Sequence, residues 1–310
     1  IVSRRLLTNS VPTVVGGGTV MYVNPEGHRY LADATHREEA GTPAILESIR
    51  AGLVFGLKRE VGVDVIAARE RDFLSRAISV WQRHPQIQVL GSPTAERLSI
   101  VSFVVRRPDG RYLHHNAVVA ILNDLFGIQS RGGCSCAGPY GHRLLGIDLE
   151  RSHAFEREIA RGCEGIKPGW VRVNFNYFIS EEVFQFVLNA VHFVVSEGWK
   201  LMPDYMFNPE SGLWRHRQGP PEPVMRLSDI TYRSGNLEYR SRHATEPEWA
   251  LSGYLDDAKE VVKAASERFK MLQIQDPALN DDFEQLRWFP LPGEVLSELH
   301  GGTKTDQRKA

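Results

Sequence analysis

Arg131-Gly132-Gly133-Cys134-Ser135-Cys136-Ala137-Gly138-Pro139 is the most informative stretch of the chain. It follows the short apolar segment Gly127 to Ser130 and is built from residues that tolerate unusual backbone angles, as loops carrying function often are. A guanidinium stands beside two thiols. The thiolate is the nucleophilic form of cysteine, and a nearby cation or free backbone amides lower its pKa, so this loop can hold an activated thiol. An inert, buried cysteine is the alternative reading of the same residues. Zinc takes the ligand types found in Cys134, Cys136, His142 and Cys163, but a Cys-x-Cys pair is tighter than usual and no second close pair follows, so no metal is expected.

Working outward, helix and strand patterns alternate on both sides of the loop. Upstream, a helix is predicted over Asp64 to His84, a β-rich run over Leu98 to Arg106 and a second helix near Ala117 to Phe126. Downstream, a strand is predicted over Trp170 to Phe178. Ser180 with Glu181 and Glu182 then opens a helix whose Val183, Phe184, Val187, Val191 and Val194 fall at helical spacing. This order fits a small α/β layer over 63–200, with helices packed on an antiparallel or mixed sheet. His114 and His115, just before a helix, read as a solvated turn without a catalytic role.

Residues 1–62 contain Gly16 to Gly18, a strand around Val20 to Val23 and the turn Pro25-Glu26-Gly27. The glycine triplet lacks the Lys-Ser or Lys-Thr of a P-loop and the spacing of a dinucleotide fingerprint. Thr42-Pro43 reads as an N-cap and first helical residue, ahead of an apolar stripe of Ile45, Leu46, Ile49, Leu53 and Leu57. A hydroxyl and free amides at a helix start suit a phosphate, and a plain N-cap is the alternative. The opening at Ile1 reads as mid-domain sequence, so a fragment with exposed apolar faces is expected.

Residues 201–310 are punctuated by Pro203, Pro209, Pro220, Pro221 and Pro223. Trp214-Arg215-His216-Arg217 mixes aromatic and basic side chains, but it is too short for a nucleic-acid patch and reads better as a docking segment. Thr245-Glu246-Pro247-Glu248 has capping-box spacing before a helix carrying Trp249, Leu255, Val262 and Phe269. Gly301 to Ala310 is polar and expected to fray.

With 310 residues, 42% of them hydrophobic, the chain can build one large or two modest domains. A net charge of -1 gives no field for nucleic acid or an anionic membrane, so a small molecule or a protein is the expected partner. No apolar run approaches the roughly 20 residues of a membrane-spanning helix, and a soluble, cytoplasmic protein is expected. Three cysteines, two of them one residue apart, make a poor disulfide framework and point to reduced thiols.

Gly16 to Gly18, then Arg37-Glu38-Glu39-Ala40-Gly41-Thr42-Pro43, then Arg131 five residues before Cys136-Ala137-Gly138-Pro139, occur in a familiar order. In these motifs the chain resembles the class V aminotransferase family of fold-type-I pyridoxal-phosphate enzymes, and within it the cysteine desulfurase and selenocysteine lyase branch. The likeness covers about Ile1 to Glu197. It implies an α/β fold class, the C-terminal part of a pyridoxal-phosphate-dependent transferase fold. Residues 1–62 would be the remnant of the large domain and 63–200 the small domain, with 201–310 a C-terminal extension.

The resemblance also implies roles. Thr42, with the Gly41 backbone, would reach the cofactor phosphate of the neighbouring subunit in a homodimer. Arg131 would grip the α-carboxylate of a small amino-acid substrate, a task suited to a planar bidentate donor. Cys136 would attack the sulfur of cofactor-bound cysteine, keep it as a persulfide for an acceptor protein and release alanine.

Departures from the pattern matter as well. Cys134 and Ser135 stand where this branch commonly has two histidines, and Tyr140-Gly141-His142 follows Pro139. A class V aminotransferase or lyase acting on another amino acid is therefore a second reading, and a non-catalytic partner-binding domain a third. The family's Schiff-base lysine follows a histidine shortly upstream of the glycine triplet. Here Lys58, Lys167, Lys200, Lys259, Lys263, Lys270, Lys304 and Lys309 all lie downstream of it and none follows a histidine. Any activity is thus expected to belong to a longer parent.

Overall fold

The structure, a computed structural model, describes residues 2–134, 138–219, 226–239 and 246–301. It divides into two compact units, Ile1–Ile66 and Ala67–Ala310.

In the first unit, β1 (Val20–Asn24) and β2 (Gly27–Tyr30) form an antiparallel hairpin. The Asn24 side-chain oxygen accepts the amides of Glu26 and Gly27, which fixes the turn. The short helix α1 (Ala34–Glu38) is capped by Asp33, whose carboxylate accepts the His36 amide. Helix α2 spans Ile45–Val61, so it begins beyond Thr42-Pro43 and not at it. Gly41 sits at φ 78° with its amide donated to the Gly17 carbonyl. Ala44 still has a ψ of 72°, and helical bonding starts with the Ser48 amide on the Ala44 carbonyl. The predicted stripe Ile45, Leu46, Ile49, Leu53 and Leu57 is present, but α2 buries none of its residues.

The second unit is built on an antiparallel sheet of β3 (Ile87–Val89), β4 (Ile100–Val105), β5 (Arg131–Gly133) and β6 (Trp170–Asn174), in the order β3-β4-β6-β5. Alternation gives the sheet two characters. Val101, Phe103, Val105, Val171 and Val173 are buried in the main core. On the other face Val104 and Trp170 join Leu90 in a small separate cluster. Helix α3 (Val63–Trp81) brings Phe73, Ala77 and Trp81 to the main core, and α4 (His115–Phe126) brings Val118, Ile121 and Leu122. After β5 come α5 (Gly138–Leu145) and α6 (Leu149–Ala160). Helix α7 (Glu181–Ser196) starts at the predicted Ser180, whose hydroxyl accepts the Val183 amide, with Glu181 and Glu182 in the favourable first turn.

Residues from 201 onward, set apart in sequence by their prolines, pack into this same core. Phe207 from β7 (Tyr205–Phe207), Trp214 from β8 (Trp214–His216), Val262 and Phe269 from α8 (Leu251–Phe269), Phe283 from α9 (Asp281–Leu286) and Val295 from α10 (Pro292–Leu299) are buried with Phe103, Ile121 and Phe184. Their sequence separation hides this partnership, because no local period links them. No helix among the described residues is long and apolar enough to cross a membrane.

Gly165 reports how closely the late segments dock. A Cβ there would lie 2.6 Å from Phe207 Cζ and 2.8 Å from the Pro209 carbonyl oxygen. Gly165→Ala is expected to lower unfolding stability by about 1–3 kcal/mol through overpacking. A urea melt monitored by tryptophan fluorescence measures the loss.

Candidate functional site

Arg131 opens β5, an edge strand, and its direct cross-strand neighbour on β6 is Arg172, which in turn faces Ser102 on β4. Directly opposed residues of an antiparallel pair share a face, so both guanidiniums project from the side of the sheet that carries Trp170. Arg131 is exposed and Arg172 half-buried, and neither has an ion pair or side-chain hydrogen bond among the described residues. Like charges placed directly across a strand pair repel, and an anion bound between them would remove that cost. The row is therefore chemically suited to a carboxylate. Sequence reading found Arg131 and missed Arg172. Alternation in Trp170-Val171-Arg172-Val173 gives the arginine's face, but only strand pairing gives its neighbour.

The chain leaves β5 at Cys134, whose side chain is exposed at the rim of a cavity of about 300 Å³. Gly141, His142, Lys167 and Trp170 also line it. Gly141 is glycine because of Trp170, since a Cβ there would come within 3.0 Å of the indole. Cys136, the expected sulfur-bearing residue, lies outside the described residues. Cys163 is half-buried, and burial followed by the neighbouring Glu158 carboxylate pushes its thiol pKa up, so it favours the unreactive thiol.

His114 and His115 are not a solvated turn. They are 1% and 6% exposed. His114 Nδ1 accepts the Asn116 amide at 3.1 Å, which leaves the proton on Nε2 for donation to the Gly165 carbonyl at 3.2 Å. Its ring stacks on His115 at 4.3 Å and Trp288 at 5.2 Å and meets the edge of Phe289 at 4.6 Å. Burial pushes the His115 pKa down to about 4, and burial followed by the neighbouring His115 holds His114 well below the ordinary histidine value. The aromatic cover comes from the far end of the chain, so nothing near residue 114 announces it.

In the first unit, the exposed Gly41 already spends its amide on Gly17, while the exposed Thr42 hydroxyl has no partner among the described residues. Gly16 to Gly18 form a turn in which the buried Thr19 returns its hydroxyl to the Gly16 carbonyl at 2.7 Å. Arg37 donates to the carbonyls of Leu31, Ala32 and Asn9 and ties these segments together. Two other readings fare differently. Trp214 is buried against Phe207 and Arg217 donates to the Pro203 carbonyl, while Arg215 and Arg217 stay exposed and His216 half-buried, so the aromatic end of the segment belongs to the core and its basic residues remain at the surface. Among the described residues no group of His, Cys, Asp and Glu could hold a metal.

Comparison with known proteins supplies the context for this geometry. The family model described as "Aminotransferase class-V" matches residues 1–181. A "Probable cysteine desulfurase" of Halobacterium salinarum is 30% identical over 152 residues, covering 49% of this chain and 35% of that protein. Another from Streptomyces coelicolor is 28% identical over 137 residues, 44% of this chain and 31% of that protein. The apo structure of a cysteine desulfurase from Thermococcus onnurineus aligns with a TM-score of 0.46 and 26% identity, over 59% of this chain and 39% of that one. The chain thus spans about a third of the length of the curated relatives it matches. With more than half of its residues matched by the family model, it belongs to the class V aminotransferase family.

Proposed function

We propose that this chain provides the substrate-facing part of a pyridoxal-phosphate-dependent cysteine desulfurase. The observation that carries the reading is the cross-strand row Arg131–Arg172, without an ion-pair partner among the described residues and placed where the chain enters the cysteine loop. Arg131 and Arg172 hold the α-carboxylate of the amino acid and fix its orientation over the sheet face. Cys136 takes the substrate's sulfur as a persulfide and leaves alanine. Thr42 faces the cofactor phosphate of the neighbouring subunit in a homodimer. A cytoplasmic enzyme that passes its sulfur to an acceptor protein completes the proposal.

Enzymes of this family depend on pyridoxal phosphate, whose ring serves as the electron sink for bond cleavage at the amino acid. The described residues fit that cofactor in part. Thr42 offers a free hydroxyl, but the Gly41 amide is engaged, and Lys58, the only lysine of the first unit, sits exposed in the last turn of α2. They do not complete a cofactor site, so the reading rests on the substrate-facing groups alone.

The test uses the polypeptide that carries this chain, loaded with cofactor and given cysteine. Alanine release and a persulfide on the Cys136 peptide are expected, and Cys136→Ala abolishes the persulfide. Arg172→Ala is expected to lower kcat/KM by about 10- to 100-fold, the worth of a charged hydrogen bond. Turnover of other amino acids with none of cysteine would favour a class V aminotransferase or lyase, a reading supported by Cys134 and Ser135 standing in place of the family's histidines.

A further inference from the structure

The step from Arg131 to the cysteine loop is held from below by a residue that the proposed chemistry does not use. A Cβ added to Gly132 would lie 3.0 Å from His115 Cδ2 and 2.5 Å from Asn116 Oδ1. One added to Gly169, just before β6, would lie 2.8 Å from His115 Cε1. β5 and the residue leading into β6 therefore lie on the edge of one imidazole at a separation that only glycine permits. The ring is held flat from beneath by His114 at 4.3 Å and by Trp288 at 5.9 Å, with interplanar angles of 27° and 15°. Asn116 is fixed in turn, because its side-chain amide donates to the Gly212 carbonyl at 2.8 Å.

β5 needs such a support. It has three residues, two of them glycine, and pairs only with β6. Glycine supplies no side chain to pack and loses the most backbone freedom on ordering, so β5 has little of its own to hold a fixed course. The next described residue, Cys134, is exposed.

We propose that His115 is a positioning residue, a rigid flat bed on which β5 lies, which sets the direction of Arg131 and the point where the chain departs into the cysteine loop. Its importance for catalysis rests on the substrate-facing reading of Arg131, but the contact does not. A cationic side chain in this place would add repulsion beneath two arginines, and a flexible aliphatic one would not present a flat edge to two glycines.

Amide hydrogen exchange of the full chain, without cofactor or substrate, tests the proposal independently of any turnover. In His115→Ala, exchange of the peptide spanning Gly132 and Gly133 is expected to rise about tenfold while peptides of β4 and α7 keep the parent rates. His115→Gln, a neutral planar side chain of similar reach, is expected to restore most of the protection. Unchanged β5 exchange, an equal rise across β4 and α7, or a Gln variant no better than Ala would each overturn it. Should His115→Ala not fold, Gly132→Ala decides. That methyl presses on the same ring and on Asn116 from above, so a rise confined to β5 supports the bed and parent-like exchange refutes it.

Discussion

Arg287→Met is expected to lower unfolding stability by about 3–5 kcal/mol, the usual cost of breaking a buried ion pair by removing one partner. The Arg287 side chain is 3% exposed and donates to Glu284, Glu294 and the Phe289 carbonyl. Glu294 also accepts from Arg111 and from the Leu291 amide at the start of α10. One guanidinium thus holds together α9, the Phe289 turn and α10. Removing it takes one donor from the Phe289 carbonyl and from each of the two carboxylates, and Phe289 is part of the cover over His114. Burial alone would raise the Glu294 pKa, but the bonds and charge of Arg287 outweigh it and hold the carboxyl at about 2. Its contribution is therefore complete above the ordinary glutamate pKa of about 4.5 and is lost as pH falls from there to about 2. Denaturant melts of the variant at neutral pH give the main effect. A loss within about 0.5 kcal/mol, the range of ordinary surface changes, would show that the clamp contributes nothing net.

Acidification from pH 6.5 to pH 4 is expected to cost about 3 kcal/mol through His115 alone, taking 1.36 kcal/mol for each pH unit over which the unfolded chain is protonated and the folded one is not. The sign follows from the burial that pushes the folded His115 pKa down to about 4 from 6.5. Within that window the unfolded state binds more protons, so stability falls as pH falls. His114 acts in the same direction, and so do the partly buried His84 and His192. Asp276 works against them, since burial raises its pKa and folding then favours its protonated form. Urea melts at several pH values should show this slope, and His115→Gln should flatten it whatever its stability at neutral pH. A wild-type stability constant between pH 6.5 and 4, or an unflattened slope in the variant, would mean that the folded His115 is protonated without cost.

Helices α3, α4, α7 and α8 were legible because each carries its own periodic apolar face, whereas α5, α6, α9 and α10, of 6 to 12 residues, were not predicted from the sequence. Ser180 with Glu181 and Glu182 marked α7, and the α3 and α4 patterns fell within a few residues of their observed ends. The start of α2 was misread because Thr42-Pro43 has the composition of an N-cap, while the Gly41–Gly17 bond keeps the chain out of helical angles until Ala44. His114 and His115 were misread for a different reason. Two histidines before a helix look polar wherever they occur, and Trp288 and Phe289, which bury them, carry no local sign of their destination.

By itself the sequence determined the helical faces, the residue types of the cysteine loop and the motif order shared with class V aminotransferases, since all of these are written in neighbouring residues. Tertiary structure alone decided that Arg172 stands opposite Arg131, that β5 lies on His115, and that the proline-rich later third closes the core. Strand register and burial come from contacts between segments far apart along the chain, and their free energy exists only once those segments meet.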